Sequence, residues 1–146
     1  MTTHDEDRIR ELIMGQVTAM PKADAEWLVG RYAPEIVQYD LAPPLRHTGA
    51  DVLDPSGLKN WFATFDGPVH TEIRDLSVTA GEDVAFCHSL NSMSATPAGV
   101  PGDFEMWFRA TVCLRKIDGE WKITHEHTST PFYMDGSFKA ATDLKP

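Results

Sequence analysis

Apolar residues recur at helical spacing through the first part of the chain and then change to alternation. Ile9, Leu12, Ile13, Val17 and Met20 lie on one stripe of period 3.6, and Thr3 with Glu6 has the spacing of a capping box. A helix is predicted from Thr3 to Pro21. A second is predicted over about Asp24–Tyr32, burying Ala25, Leu28, Val29 and Tyr32, with Pro34 closing it. Ile36–Leu41 reads as a strand broken by Pro43-Pro44, and LRHTG offers a short return strand before Gly49. Asp54-Pro55 is a cap followed by proline at the first helical position. The third helix it opens carries Leu58, Trp61, Phe62 and Phe65 on one face and ends at Gly67-Pro68.

From His70 the period becomes two. Strands are predicted at His70–Thr79, Asp83–Ala95, Asp103–Ile117 and Glu120–Thr130, with turns at Gly81-Glu82, PAGVPG and Asp118-Gly119. A loosely structured tail is expected from about residue 131. Helices first and a meander second indicate one segregated α+β domain over residues 1–146: three helices on a curved, mostly antiparallel sheet.

Charge narrows the partners. With 22 acidic against 13 basic residues the net charge is −9, and no Lys/Arg cluster interrupts it. Nucleic acid and anionic membranes are therefore not expected to bind. No apolar run approaches the roughly 20 residues of a membrane span, and MTTHDEDRIRE lacks the apolar segment of a signal peptide. Cys87 and Cys113 fall inside strands without CxxC spacing, as expected of reduced thiols in a cytoplasmic protein.

The chemistry-bearing residues are few. Gln16 is polar on an apolar stripe, so its amide meets either a cavity or a backbone group. On the last strand His125, His127 and Ser129 share one face, and Glu126, Thr128 and Thr130 the other. A two-residue loop at Asp118-Gly119 places Ala110, Val112 and Leu114 beside the histidines; a bulged three-residue loop places Trp107, Arg109, Thr111 and Cys113 there instead. His88 shares parity with Phe86 and Leu90. Two histidines at i, i+2 can reach one metal ion, but no third ligand is visible and no metal is expected. Ser129 has no nucleophile elbow around it.

Three stretches resemble the nuclear-transport-factor-2-like superfamily, which includes SnoaL-like and ketosteroid-isomerase-like domains. They are YAPEIVQYDLAPPLRHTG, GPVHTEIRDLSVTAGEDVAFCHS and RATVCLRKIDGEWKITHEHTSTPF. The last two also resemble the association domain of calcium/calmodulin-dependent protein kinase II. The resemblance implies a cone-shaped fold around a pocket, with Asp40 at the position of the isomerases' catalytic aspartate. It puts Gln16 and Val112 where their oxyanion donors stand, so true steroid isomerisation is not expected. The kinase domain's pocket arginines fall on Leu90, Val112 and Thr128.

Because the resemblance brings positions 112 and 128 together in the pocket, it selects the bulged register. Glu126 then faces Asp40 across the cavity. The expected function is binding, and turnover by cofactor-free acid/base chemistry, of a small apolar molecule. Asp40 is the expected base and Glu126 or His88 the group returning the proton. Gln16 and Thr128 would hold the polar end against walls of Phe62, Phe65, Phe86, Leu90, Phe108 and Val112. The alternative is a non-catalytic oligomerisation or ligand-sensing module. Either way a homodimer is expected through the outer sheet face, Trp107, Arg109, His125 and His127.

Overall fold

The computed structural model describes residues 3–146, the side chain of Thr3 excepted, so the expected capping contact there lies outside the described residues. The first predicted helix is two segments, α1 (Thr3–Met14) and α2 (Gln16–Ala19). Gly15 between them keeps helical dihedrals, so conformational freedom is not why glycine stands there. A Cβ at this position would lie 2.5 Å from Trp27 Cη2 and 2.7 Å from Cζ2. The glycine lets the indole close on the helix. Gly15→Ala is therefore expected to destabilise by about 1–3 kcal/mol through overpacking, read as a lower urea midpoint.

Helix α3 (Ala25–Gly30) is capped by Asp24, whose Oδ1 accepts the Trp27 N–H at 3.2 Å. It ends earlier than the sequence pattern suggests, because Tyr32 opens strand β1 (Tyr32–Tyr39). The reason is a parallel ladder: Tyr32 pairs with Ile123, and the Ile123 N–H donates to the Arg31 carbonyl at 2.9 Å. Pro34 sits in the irregular stretch between Tyr32 and Val37, where its missing N–H removes no ladder bond.

Strand β2 (His47–Thr48) is the short return strand, and α4 (Ala50–Leu53) is an unforeseen single turn after Gly49. Helix α5 (Pro55–Phe62) starts as predicted, with Asp54 Oδ1 accepting the Ser56 N–H at 2.9 Å. Strands β3 (His70–Ala80), β4 (Val84–Ala95), β5 (Phe104–Ile117) and β6 (Glu120–Ser129) complete a six-stranded sheet of order β2-β1-β6-β5-β4-β3. Only the β1–β6 pair is parallel.

The decisive register is that of β5 on β6. Asp118 and Gly119 form a two-residue turn, both at positive φ (51° and 83°), as a type I′ hairpin requires. Ile117 through Leu114 follow that register, and then a bulge at Thr124 shifts it, so Cys113 meets His125 and Val112 meets Glu126. The expected pairing holds, but a bulge inside β6 produces it and not a longer loop.

The core lies where α1 crosses the sheet: Ile9 and Ile13 meet Ile36, Leu114, Ile123 and Trp121. The Trp121 Nε1–H donates to Asp5 Oδ1 at 3.0 Å, and Lys116 Nζ reaches the same oxygen at 3.1 Å. Cys87 is 1% exposed, and burial pushes its thiol up to about 11, so it is an inert core residue. The tail contains no helix or strand, yet it is tied back on itself. Phe132 bridges Ala140, the Tyr133 N–H donates to the Lys139 carbonyl, and the Ala141 N–H donates to the Pro131 carbonyl. No helix among the described residues is long and apolar enough to cross a membrane.

Candidate functional site

Between the helices and the concave face of the sheet lies a cavity of about 680 Å³. Its walls are apolar: Met20, Leu28 and Val29 from the helices, Leu58 and Trp61 from α5, and Met106, Phe108 and Val112 from β5. Its polar groups are concentrated where β1 and β6 run side by side. Parallel pairing sets Gln38 against Glu126, and both side chains point inward.

Two donors converge on one carboxylate oxygen there. The Tyr32 hydroxyl donates to Glu126 Oε2 at 2.9 Å, and Gln38 Nε2 donates to the same oxygen at 2.7 Å. Burial and the Glu126 charge push the Tyr32 hydroxyl well above the usual phenol range, so it stays protonated at neutral pH. Arg31, 4% exposed, holds the tyrosine from behind. Its guanidinium lies 5.7 Å from the Tyr32 ring centroid, and its Nε donates to the Leu28 carbonyl at 3.1 Å. Asp40 stands at the exposed rim, its Oδ1 accepting the Leu41 N–H at 2.7 Å and the Thr128 hydroxyl at 3.4 Å.

The cavity is electronegative. Asp40, Asp51, Asp54 and Glu126 line it against the single guanidinium of Arg31. Among the described residues no three His, Cys, Asp or Glu side chains converge to hold a metal ion. His125 Nδ1 lies 2.7 Å from the Val37 carbonyl, which can only accept, so that nitrogen carries the proton.

The family model of the SnoaL-like domain matches residues 9–133. The chain belongs to the SnoaL-like family. A nuclear-transport-factor-2-like protein of unknown function from Pseudomonas putida KT2440 shares this SnoaL-like fold at TM-score 0.86. It is 33% identical over 100% of this chain and 99% of that one. A candidate scytalone dehydratase from Novosphingobium aromaticivorans superimposes at TM-score 0.77 with 15% identity, over 97% and 96% of the two chains. A candidate calcium/calmodulin-dependent protein kinase II association domain from Xanthomonas campestris gives 0.69 with 16% identity, over 83% and 84%. At those identities the last two speak for the fold alone. No curated protein matches.

Of the residues singled out by sequence, Gln16, Asp40, Phe108, Val112, Glu126 and Thr128 line the SnoaL-like cavity. The Gln16 amide makes no hydrogen bond within the described residues. Phe86, His88 and Leu90 do not line it. Their register against Cys113, Thr111 and Arg109 puts them on the outer face, with Cys87, Ser89 and Asn91 turned inward. Phe62 and Phe65 also stand aside: they flank Trp61, and Phe65 packs toward Phe104 and Pro97. Trp61 presents that helix face to the cavity.

Tyr32 and Gln38 line the cavity and bond Glu126, and the sequence pattern did not single them out. Gln38 shares strand parity with Asp40, a signal that was available. Tyr32 carried none, because its partner lies 94 residues away.

Proposed function

We propose that this SnoaL-like domain binds a small, neutral, largely apolar molecule and acts on it by cofactor-free acid/base chemistry of the isomerase, cyclase or hydro-lyase type. The observation that carries the reading is the convergence of Tyr32 and Gln38 on one oxygen of Glu126 inside an apolar cavity. What supports the reading is that this bonded carboxylate opens onto an apolar cavity, with few polar groups converging at one end.

In this reading Asp40 abstracts a proton beside a carbonyl of the substrate and gives it back, to a neighbouring carbon in an isomerisation or to the departing hydroxyl, which leaves as water, in an elimination. Its backbone and Thr128 donors fix the carboxylate at the rim. Tyr32 offers its O–H to the substrate oxygen where charge develops. It lets go of Glu126 to do so, and Gln38 keeps that carboxylate in place. Tyr32 thus supplies an oxyanion donor where Val112 cannot. The candidate dehydratase among the structural neighbours catalyses, by its name, a reaction of this class.

The test is a thermal-shift screen of small ketones, hydroxyketones, lactones and aromatic acids on wild type and Asp40→Asn. A compound at a hundredfold excess over its Kd stabilises by roughly 2.7 kcal/mol. Neutral compounds are expected to shift the melting point, and Asp40→Asn to alter those shifts. Carboxylates are expected to bind about tenfold more weakly than their neutral isosteres, because the lining is acidic. Shifts identical in the two proteins would remove Asp40 from the site.

A second reading, association through the outer face, is favoured by its exposed aromatics. Phe86 is 50% and Tyr39 39% exposed beside His88 and His127, and Arg74 lies 4.7 Å over the Trp107 ring. We propose this face, with Arg109 and His125, as a homodimer interface compatible with catalysis in the cavity. Light scattering is expected to give a dimer mass for wild type and a monomer mass for Arg109→Glu. A monomeric wild type would rule the interface out.

A further inference from the structure

At the far end of the cavity from Glu126, a buried amide is oriented without being used. Asn91 is 6% exposed and turned inward on β4, opposite Phe108 of β5. Its Oδ1 accepts the hydroxyl of Ser89, two residues earlier on the same face, at 2.7 Å. That bond fixes which way the amide points. Its Nδ2 makes no hydrogen bond among the described residues.

One strand pair away, Thr130 repeats the situation. Thr130 lies just beyond the end of β6 and lines the same cavity, its hydroxyl buried without a partner among the described residues. Unpaired buried polar groups oppose folding, and the neighbouring Met93, Met106 and Phe108 show that apolar side chains suit this wall. The Asn91 oxygen satisfies the Ser89 hydroxyl, which leaves its N–H2 as the free donor on this wall.

We infer that Asn91, seconded by Thr130, is a distal anchor for the ligand, donating from Nδ2 to an acceptor oxygen carried at the end remote from Tyr32 and Glu126. The proposal rests on the cavity being a ligand site and adds the class of ligand: a neutral molecule with an oxygen at each end. Spacing sets its length. From the Glu126–Val112 pair to the Phe108–Asn91 pair is four residues along β5 and two strands across, roughly 16 Å between backbones. Side chains reaching in from both ends leave room for about two fused rings.

The test uses 2-tetralone and 6-methoxy-2-tetralone, titrated calorimetrically. Both carry the ketone that would meet Tyr32; only the second carries a distal oxygen, and that oxygen can only accept. A single neutral hydrogen bond is worth roughly two- to tenfold in affinity. The wild type is expected to bind the methoxy compound tighter by that factor, and Asn91→Leu to bind the two equally. Asn91→Asp keeps the shape and the Ser89 bond while turning an acceptor on the methoxy oxygen, so there too the advantage should vanish.

An advantage that survives in both variants, or no advantage in wild type while 2-tetralone binds, overturns the distal anchor and leaves the cavity reading intact. Failure of both compounds to bind wild type overturns both together.

Discussion

Glu126→Gln is expected to lower turnover of any compound the wild type converts by about 10²–10³-fold, the range lost when an oxyanion donor is removed. The amide cannot hold the negative charge that Tyr32 and Gln38 now share as donors, 2.9 and 2.7 Å from one oxygen. It also turns an N–H2 toward groups that need an acceptor, so Tyr32 loses the orientation on which its O–H donation depends. Stability should move little. The site opens to a cavity of about 680 Å³ where freed donors can rehydrate, and glutamine matches glutamate in volume. Loss of turnover with an unchanged urea midpoint supports a chemical role. Loss of stability with unchanged turnover would make Glu126 a structural residue.

Leu114→Ala is expected to cost 2–5 kcal/mol in urea unfolding at an unchanged m-value, about the range for emptying a packed core site. Leu114 is 2% exposed and lies between Ala85 of β4 and Ile123 of β6, itself 0% exposed. Ala85 is too small to fill the space, and the bulge at Thr124 that follows on β6 fixes the pairing beside it. The cavity therefore stays open after truncation. Because that bulge sets which face of β6 looks inward, the same variant should weaken ligand binding as well. A cost below 1 kcal/mol would show that the sheet collapses around the site, and that the register is softer than the pairing implies.

The sequence made the four long strands legible because alternation and turn chemistry are local. β3 to β6 begin and end within a residue or so of the predicted bounds. What it obscured depended on distant partners. Tyr32 looks like the last residue of a helix until β6 arrives to pair with it. The bulge at Thr124 has no glycine to announce it, so it was placed in the adjacent turn. On β4 size misled: the larger Phe86, His88 and Leu90 face outward, while Cys87, Ser89 and Asn91 face the interior. Here Cys87 packs into the core beside Ala85 and Leu114, and of the three only Asn91 lines the cavity.

The most direct measurement is a crystal structure of the domain with the neutral compound that stabilises it most. The expected result places that compound in the cavity, with an oxygen within hydrogen-bond distance of the Tyr32 hydroxyl and a carbon facing Asp40. A compound found instead on the outer face beside Trp107 and Arg109, with the cavity filled only by water, would contradict the assignment of this cavity as the site of binding and chemistry.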